Sequence, residues 1–285
     1  NTPANSTLSA TTFLNTASFD GRAPGTRNAI EQSGTANGLD AIADRMMSRI
    51  IYRRFDNYES MVMNHTVNIS GVNPTNAGTF QAAMRWYELR RPNAGSPWTI
   101  HQQATYAPYP VSGATGMNCW MGSIGIDQKG SIALAYSTSK SDTFPSLKYA
   151  LRHEFDAPGA LSNDQYFHPG GGSQTTTANR WGDYSAMATD PSNEDTLWFT
   201  GEYYAATSQR DFSTRVGKFT IDLPPTQPQV HFKLGGTIAR QTESSTPLPG
   251  STCLLFKDYP ILLQIDQAPS QPVGVNISVS GTATA

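Results

Sequence analysis

The chain has 285 residues, with 20 Lys and Arg against 22 Asp and Glu and a formal net charge of −2. That length buries a substantial core in one large or two ordinary domains. The balanced charge offers no basic stripe and argues against nucleic acid as a partner. Charged residues are only 15% of the chain while Thr, Ser, Asn, Gly and Pro are abundant, a composition suited to turn-rich extracellular all-β proteins.

Residues 1–45 read as an amino-terminal arm and loop. Asn1 to Phe19 is rich in Thr, Ser and Asn around an apolar patch at Phe13-Leu14, and Gly21, Pro24, Gly25, Gly34 and Gly38 break the stretch that follows. The start at Asn1, with neither Met nor an apolar leader, is read as that of a mature or excised product. Leu39, Ile42, Met46 and Ile50 share one helical face. A helix there competes with a helical turn at Leu39–Ala43 followed by a strand from Met46 to Phe55, and the repeat that follows favours the strand.

Residues 46–223 hold three related units. The first places strands near Glu59–Val67, Phe80–Arg90 and Trp98–Tyr106; the second near Gly122–Asp127, Ser131–Ser137 and Pro145–Arg152; the third near Tyr184–Thr189, Thr196–Tyr203 and Thr214–Leu223. Antiparallel meanders repeated at this period are the pattern of β-propeller blades. First strands are small and apolar (Ser123-Ile124-Gly125-Ile126; Ala186-Met187-Ala188), as a crowded axis requires. Second strands carry bulk (Trp86, Tyr87; Leu134, Tyr136; Trp198, Phe199). Three or four blades fall short of a closed ring in most propellers, and bare blade faces are apolar patches that soluble monomers avoid. The expectation is therefore the carboxy-terminal blades of a β-propeller, incomplete within this chain, with another chain or an upstream segment completing the ring.

Pro224 to Gln229 reads as a stiff linker. Residues 230–285 alternate in a strand-like way and read as the start of a β-sandwich module.

The runs LDAIADRMMSRIIYRRFDNYESMVMNHTV, RWYELR, HQQATYAP, WMGSIGIDQKGSIALAYSTS and RWGDYSAMATDPSNEDTLWFTGEYY, covering Leu39 to Ile221, resemble a family of secreted bacterial multi-domain surface proteins. These pair a propeller, distantly sialidase-like in blade pattern, with immunoglobulin-like or Calx-β-like modules. The tail ending ISVSGTATA is similar to a Calx-β strand. The resemblance implies a secreted or cell-surface protein, often large, and no particular reaction; adhesion and carbohydrate binding are the roles that the residues below suggest.

The candidate ligand-binding residues are Tyr58, Glu59, Trp120, Arg180, Trp181, Asp183 and Tyr184. Glu59 and Asp183 are placed near the mouth of a ring, with aromatic residues, Arg54 and Arg180 alongside, an assortment that suits a sugar. The competing reading pairs Arg180 with Asp183 or Glu202 and packs Trp181 between blades. Glycoside hydrolysis needs paired carboxylates, or a Tyr nucleophile with converging arginines for sialic acid; the arginines are scattered in sequence, so no catalytic residue is assigned. A non-enzymatic scaffold or glycan-binding module is favoured over a sialidase-like hydrolase with catalytic groups on other blades. Asp127 and Asp190 sit at equivalent turns and read as acceptors of backbone N–H groups. Asp190, Asn193 and Asp195 form the one candidate set for Ca²⁺; no other cofactor is implied, and no transmembrane segment. The five histidines lack metal-ligand spacing. Cys119 and Cys253 read as two unpaired small apolar residues, with a disulfide between them as the competing reading, and Gly170–Gly172 as a flexible loop.

Overall fold

A computed structural model of the chain describes residues 11–111 and 116–221 in full, and beyond them the backbone of three strands. The fold is all-β: the described residues contain no α-helix, and their only helical piece is a single 3₁₀ turn at Ala77–Thr79. None of their helices is long and apolar enough to cross a membrane. The chain divides into two compact units, 1–221 and 222–285.

The first unit holds three antiparallel sheets, each a meander in chain order. Sheet 1 comprises β1 (Ile51–Arg54), β2 (Glu59–Asn68), β3 (Ala82–Arg91) and β4 (Thr99–Tyr106). Sheet 2 comprises β5 (Asn118–Ile126), β6 (Ile132–Lys140), β7 (Thr143–Arg152) and β8 (Gln165–His168). Sheet 3 comprises β9 (Ala186–Thr189), β10 (Thr196–Tyr203) and β11 (Ser213–Thr220). In the second unit, β12 (Val230–Leu234) and β13 (Ser251–Phe256) both pair with β14 (Tyr259–Ile265), which departs from the consecutive order of the other three sheets. The Pro224–Gln229 stretch and the tail lie outside the described residues.

Sheet 2 is packed on both faces, and strand alternation decides what each face meets. Ile132, Leu134 and Tyr136 of β6 join Ile124 and Ile126 of β5 against Val62, Met84 and Trp86 of sheet 1. The intervening Ala133 and Ala135, with Leu147 of β7, meet Met187, Leu197, Phe199 and Phe219 of sheet 3. All nine residues of β5 are buried. Gly125 is required there, because a Cβ would meet the Met187 sulfur at 2.8 Å and the Leu197 side chain at 3.3 Å.

A β-bulge breaks the alternation once. The β5–β6 register shifts between Trp120 and Ser123, with Met121 at φ 51°. In a regular strand Trp120 and Met121 would point to opposite faces; the bulge sends both into one cluster. That third cluster, at one end of the sheets, gathers Ile30, Leu39, Ile42, Met47, Phe80, Trp120, Met121, Trp181 and Tyr204. It is closed by the amino-terminal segment, whose Ile30 pairs with Leu39 in an isolated antiparallel bridge.

Two sequence readings change. Leu39–Ile50 is irregular: Leu39, Ile42 and Met47 enter the end cluster while Met46 and Ile50 are exposed, and of the favoured Met46–Phe55 strand only Ile51–Arg54 forms. The Gly170–Gly172 run is a close-packed crossing and not a free loop. A Cβ at Gly170 would collide with the Pro145 carbonyl, at Gly171 with that of Ala205, and at Gly172 with the Ala206–Thr207 peptide. Gly170 N–H donates to Ser146 Oγ (2.9 Å) and Gly171 N–H to the Tyr204 carbonyl (2.8 Å).

Two outcomes follow for unfolding by denaturant. Phe199→Ala, which empties the seam between sheets 2 and 3, lowers stability by about 3–5 kcal/mol. Gly172→Ala costs about 1–3 kcal/mol by overpacking against backbone that cannot yield, whereas Gly25→Ala, where a Cβ would meet nothing within 4 Å, is close to neutral.

Candidate functional site

The end cluster supports two clefts that share Arg180. The segment from Arg180 to Tyr184 enters the cluster through Trp181, whose ring lies 5.8 Å from Tyr204 and 6.0 Å from Trp120. Trp181 Nε1–H donates to Ser137 Oγ (3.0 Å). Both Trp120 and Trp181 are fully buried, so their rings build the floor and present no face to solvent. Gly182, at φ 75°, leaves room for Met121, and its N–H donates to Glu202 Oε2 (2.9 Å).

The amino-terminal segment is stitched to this floor by hydrogen bonds of long sequence separation. Gln32 and Gln174 form a reciprocal pair: Gln32 Nε2 donates to the Gln174 carbonyl (3.0 Å), and Gln174 N–H donates to Gln32 Oε1 (2.8 Å). Gln174 Nε2 donates onward to the Arg180 carbonyl (2.8 Å) and to Tyr204 Oη (3.2 Å). Asn37 Nδ2 donates to the Thr175 carbonyl and Ser173 Oγ to that of Ser33.

The first cleft, about 350 Å³, lies between this segment and Arg180–Tyr184. Arg27, Arg45 and Arg180 converge on it from three places in the sequence, with Tyr184 and the carboxylates of Asp40 and Asp44. Each guanidinium has its own acid: Arg27 with Asp40 (3.5 Å), Arg45 with Asp44 (2.7 Å) and Arg180 with Asp183. Hydrogen bonding to Arg45 holds Asp44 below the usual carboxylate range. The three pairs cancel in charge, so the cleft is densely polar and near neutral.

The second cleft, about 410 Å³, is lined by Gln174, Arg180, Glu202, Tyr204, Arg210 and Phe212 among others. Phe212 is exposed and is the apolar wall open to solvent. Burial pushes the Glu202 carboxyl above its ordinary pKa, opposed by the hydrogen bond from Gly182. The arrangement joins a partly desolvated carboxyl, an amide, two guanidiniums and an aromatic face, which suits hydroxyl-rich or amide-bearing ligands.

Five of the residues singled out from sequence are brought together here: Trp120, Arg180, Trp181, Asp183 and Tyr184. Tyr58 and Glu59 are not. They open β2 at the far end of sheet 1, where Glu59 is paired with Arg91, about 30 Å along the strand from Asn68 at the clustered end. Tyr58 stacks on Phe55 (4.4 Å) beneath the Arg90 guanidinium, and burial raises its hydroxyl pKa to about 12. Asp190 is committed to its own turn. Its Oδ1 accepts Ser192 and Asn193 N–H groups and the Ser192 hydroxyl, and its Oδ2 accepts Trp198 Nε1–H (2.8 Å). Asn193 Oδ1 accepts the Asp195 N–H. Among the described residues no group of three or more His, Cys, Asp or Glu side chains is placed to hold a metal.

Sequence reasoning missed Arg27, Arg45, Gln174, Tyr204 and Phe212 as cleft residues, and it considered Glu202 only as a partner for Arg180. The signal for Glu202 is its place on the strand whose first half packs on sheet 2, opposite Thr214 at the exposed end. Nothing local marks Arg27 or Arg45, because their convergence depends on the path of the amino-terminal segment. Comparison with protein-family models, characterised proteins and solved structures returned no match.

Trp181→Ala, which removes the shared floor, lowers stability by about 3–5 kcal/mol. Trp181→Phe, which loses the bond to Ser137 but keeps most of the ring, lowers it by about 1 kcal/mol. Denaturant titration separates the two.

Proposed function

We propose that sheets 1 to 3 are consecutive blades of a β-propeller and that the chain is a non-enzymatic extracellular scaffold and glycan-binding module of a larger surface protein. One observation supports the architecture: three meanders, each in chain order, stack in sequence, with β5 of sheet 2 packed on β2 and β3 of sheet 1 on one side and on β9 of sheet 3 on the other. Face-to-face stacking of sequential meanders is how propeller blades pack. The outer face of sheet 3 supports completion by further sheets. Trp198 and Val216 stand on it 39% and 62% exposed, beside Ala186, Ala188 and Thr200 and with one charged residue, Lys218, opposite Trp198. The low charge and Thr/Ser/Asn-rich composition agree with an extracellular setting.

The two clefts sharing Arg180 are the glycan site in this reading. Guanidinium and amide donors meet hydroxyl and carbonyl oxygens, the Glu202 carboxylate accepts hydroxyl protons, and Phe212 covers an apolar sugar face. A ligand hydroxyl binds the ionised form of Glu202, so affinity rises as pH climbs through that group's raised pKa. A second reading, a sialidase-like hydrolase, rests on Arg27, Arg45 and Arg180 lining one cleft with Tyr184. The pairing of all three arginines with aspartates weakens it, since a substrate carboxylate has to displace those acids.

A glycan array probed with the full chain tests the proposal. The expected result is a set of hits whose affinity falls at least about tenfold, or roughly 1.4 kcal/mol, in Arg180→Ala, with Glu202→Gln removing the pH dependence. An empty array, or hits indifferent to both variants, removes the glycan role. Turnover of a fluorogenic sialoside that is lost in Tyr184→Phe establishes the hydrolase instead.

A further inference from the structure

At the other end of sheets 2 and 3, two turns meet through a pair of acids. The β5–β6 turn begins at Asp127, which is 0% exposed. Its Oδ1 accepts the N–H groups of Lys129 and Ser131 (both 2.8 Å). The β9–β10 turn ends at Asp195, whose Oδ2 receives the Lys129 ammonium (3.1 Å). Gln128 N–H donates to the Glu194 carbonyl (3.1 Å), which docks one turn on the other. Two oxygens are left over: Asp127 Oδ2 and Asp195 Oδ1 are both buried and neither has a hydrogen-bond partner.

A buried oxygen without a partner costs about 1–3 kcal/mol, and more when it is charged. Lys129 touches both acids, through its N–H on Asp127 and its ammonium on Asp195, and Asp195 acts electrostatically on Asp127, so one proton held between them would satisfy both oxygens. The charged groups around the pair are Glu194 and Lys129 on the same two turns, Arg53 reaching from β1 to Glu194 (2.6 Å), and Glu154, whose carboxyl packs on Gly130 of the Asp127 turn. Among the described residues no third His, Cys, Asp or Glu joins Asp127 and Asp195 in a group placed to hold a metal ion, which favours a proton.

We propose that Asp127 is a protonated carboxyl whose Oδ2–H donates to the Asp195 carboxylate, forming a pH-sensitive latch between sheets 2 and 3. Desolvation, with repulsion from Asp195 as a smaller contribution, raises the Asp127 pKa, against the Ser131 and Lys129 N–H bonds that oppose it. A carboxyl raised in the folded state stabilises fully below its unfolded value, near 3.8, and that contribution is lost as pH rises through the folded value. The latch is closed at low pH and opens as pH rises through the raised Asp127 value, when both acids are ionised at the docked turns.

Asp127→Asn separates the possibilities, because its Oδ1 still accepts both turn N–H groups while its Nδ2 replaces the acidic proton as donor. Thermal melts of the full chain from pH 5 to pH 8, in EDTA and in CaCl₂, provide the readout. The expected result is that Asp127→Asn melts at or above the unaltered chain at pH 8 and that the difference shrinks as pH falls. Asp127→Ala, which loses the turn bonds as well, melts about 3–6 °C lower throughout. If Asp127→Asn is destabilised as much as Asp127→Ala at both ends of the range, Asp127 acts as an ionised acceptor and the latch is overturned. It is equally overturned if CaCl₂ raises the melting temperature of the unaltered chain and that rise disappears in Asp127→Asn, because a cation then occupies the gap.

Discussion

The structure of the first unit depends on β5 and β6 of sheet 2 having no solvent face. A strand buried on both sides has to satisfy two neighbours with alternate residues, and β6 does so by size: Ile132, Leu134 and Tyr136 fill the wide seam toward sheet 1, while Ala133 and Ala135 admit Leu197 and Phe199 from sheet 3. Displacing β6 by one residue would push large side chains into the narrow seam and leave alanines in the wide one. The register is therefore fixed by volume on both sides, without any demand from polarity. Gly125 extends the same logic to β5, where Met187 occupies the space of a side chain.

Much of this was legible in the sequence because period-2 patterning and turn residues act locally. The strand of each hairpin is announced by its own alternation, and the turns at Asp127 and Asp190 by the Asx chemistry that closes them. Two strands were harder to see. β8 is four residues long with a half-exposed pattern, and β1 is a short strand behind a segment whose apolar residues imitate a helical face. Of those residues Leu39 and Ile42 reach a cluster built by other elements while Met46 and Ile50 are exposed, and a one-dimensional pattern cannot distinguish that division from an amphipathic helix.

The site was legible only where one continuous segment builds it. Arg180 to Tyr184 was found because aromatic, acidic and basic residues sit together there. The guess that Glu59 joined them failed on strand direction: β2 runs from Glu59 at one end to Asn68 at the other, and only the latter end meets the cluster. Arg27 and Arg45 arrive through the folding-back of the amino-terminal segment, whose partners are more than a hundred residues away. The burial of Trp120 and Trp181 also reassigns them: they position a cleft that other side chains face.

That amino-terminal segment has a consequence for how the protein is made. Its partners Ser139, Gln174 and Asn179 follow it by 108 to 142 residues. A ribosome adding about 5–20 residues per second needs roughly 7 to 28 seconds to deliver them. Until Trp181 and Tyr204 follow, the cluster that Ile30, Leu39, Ile42 and Met47 enter lacks one of its walls, while each meander closes from contacts within itself. Residues 30–47 are thus among the last of this unit to settle, and until then they form an uncovered apolar stretch that a chaperone is suited to shield.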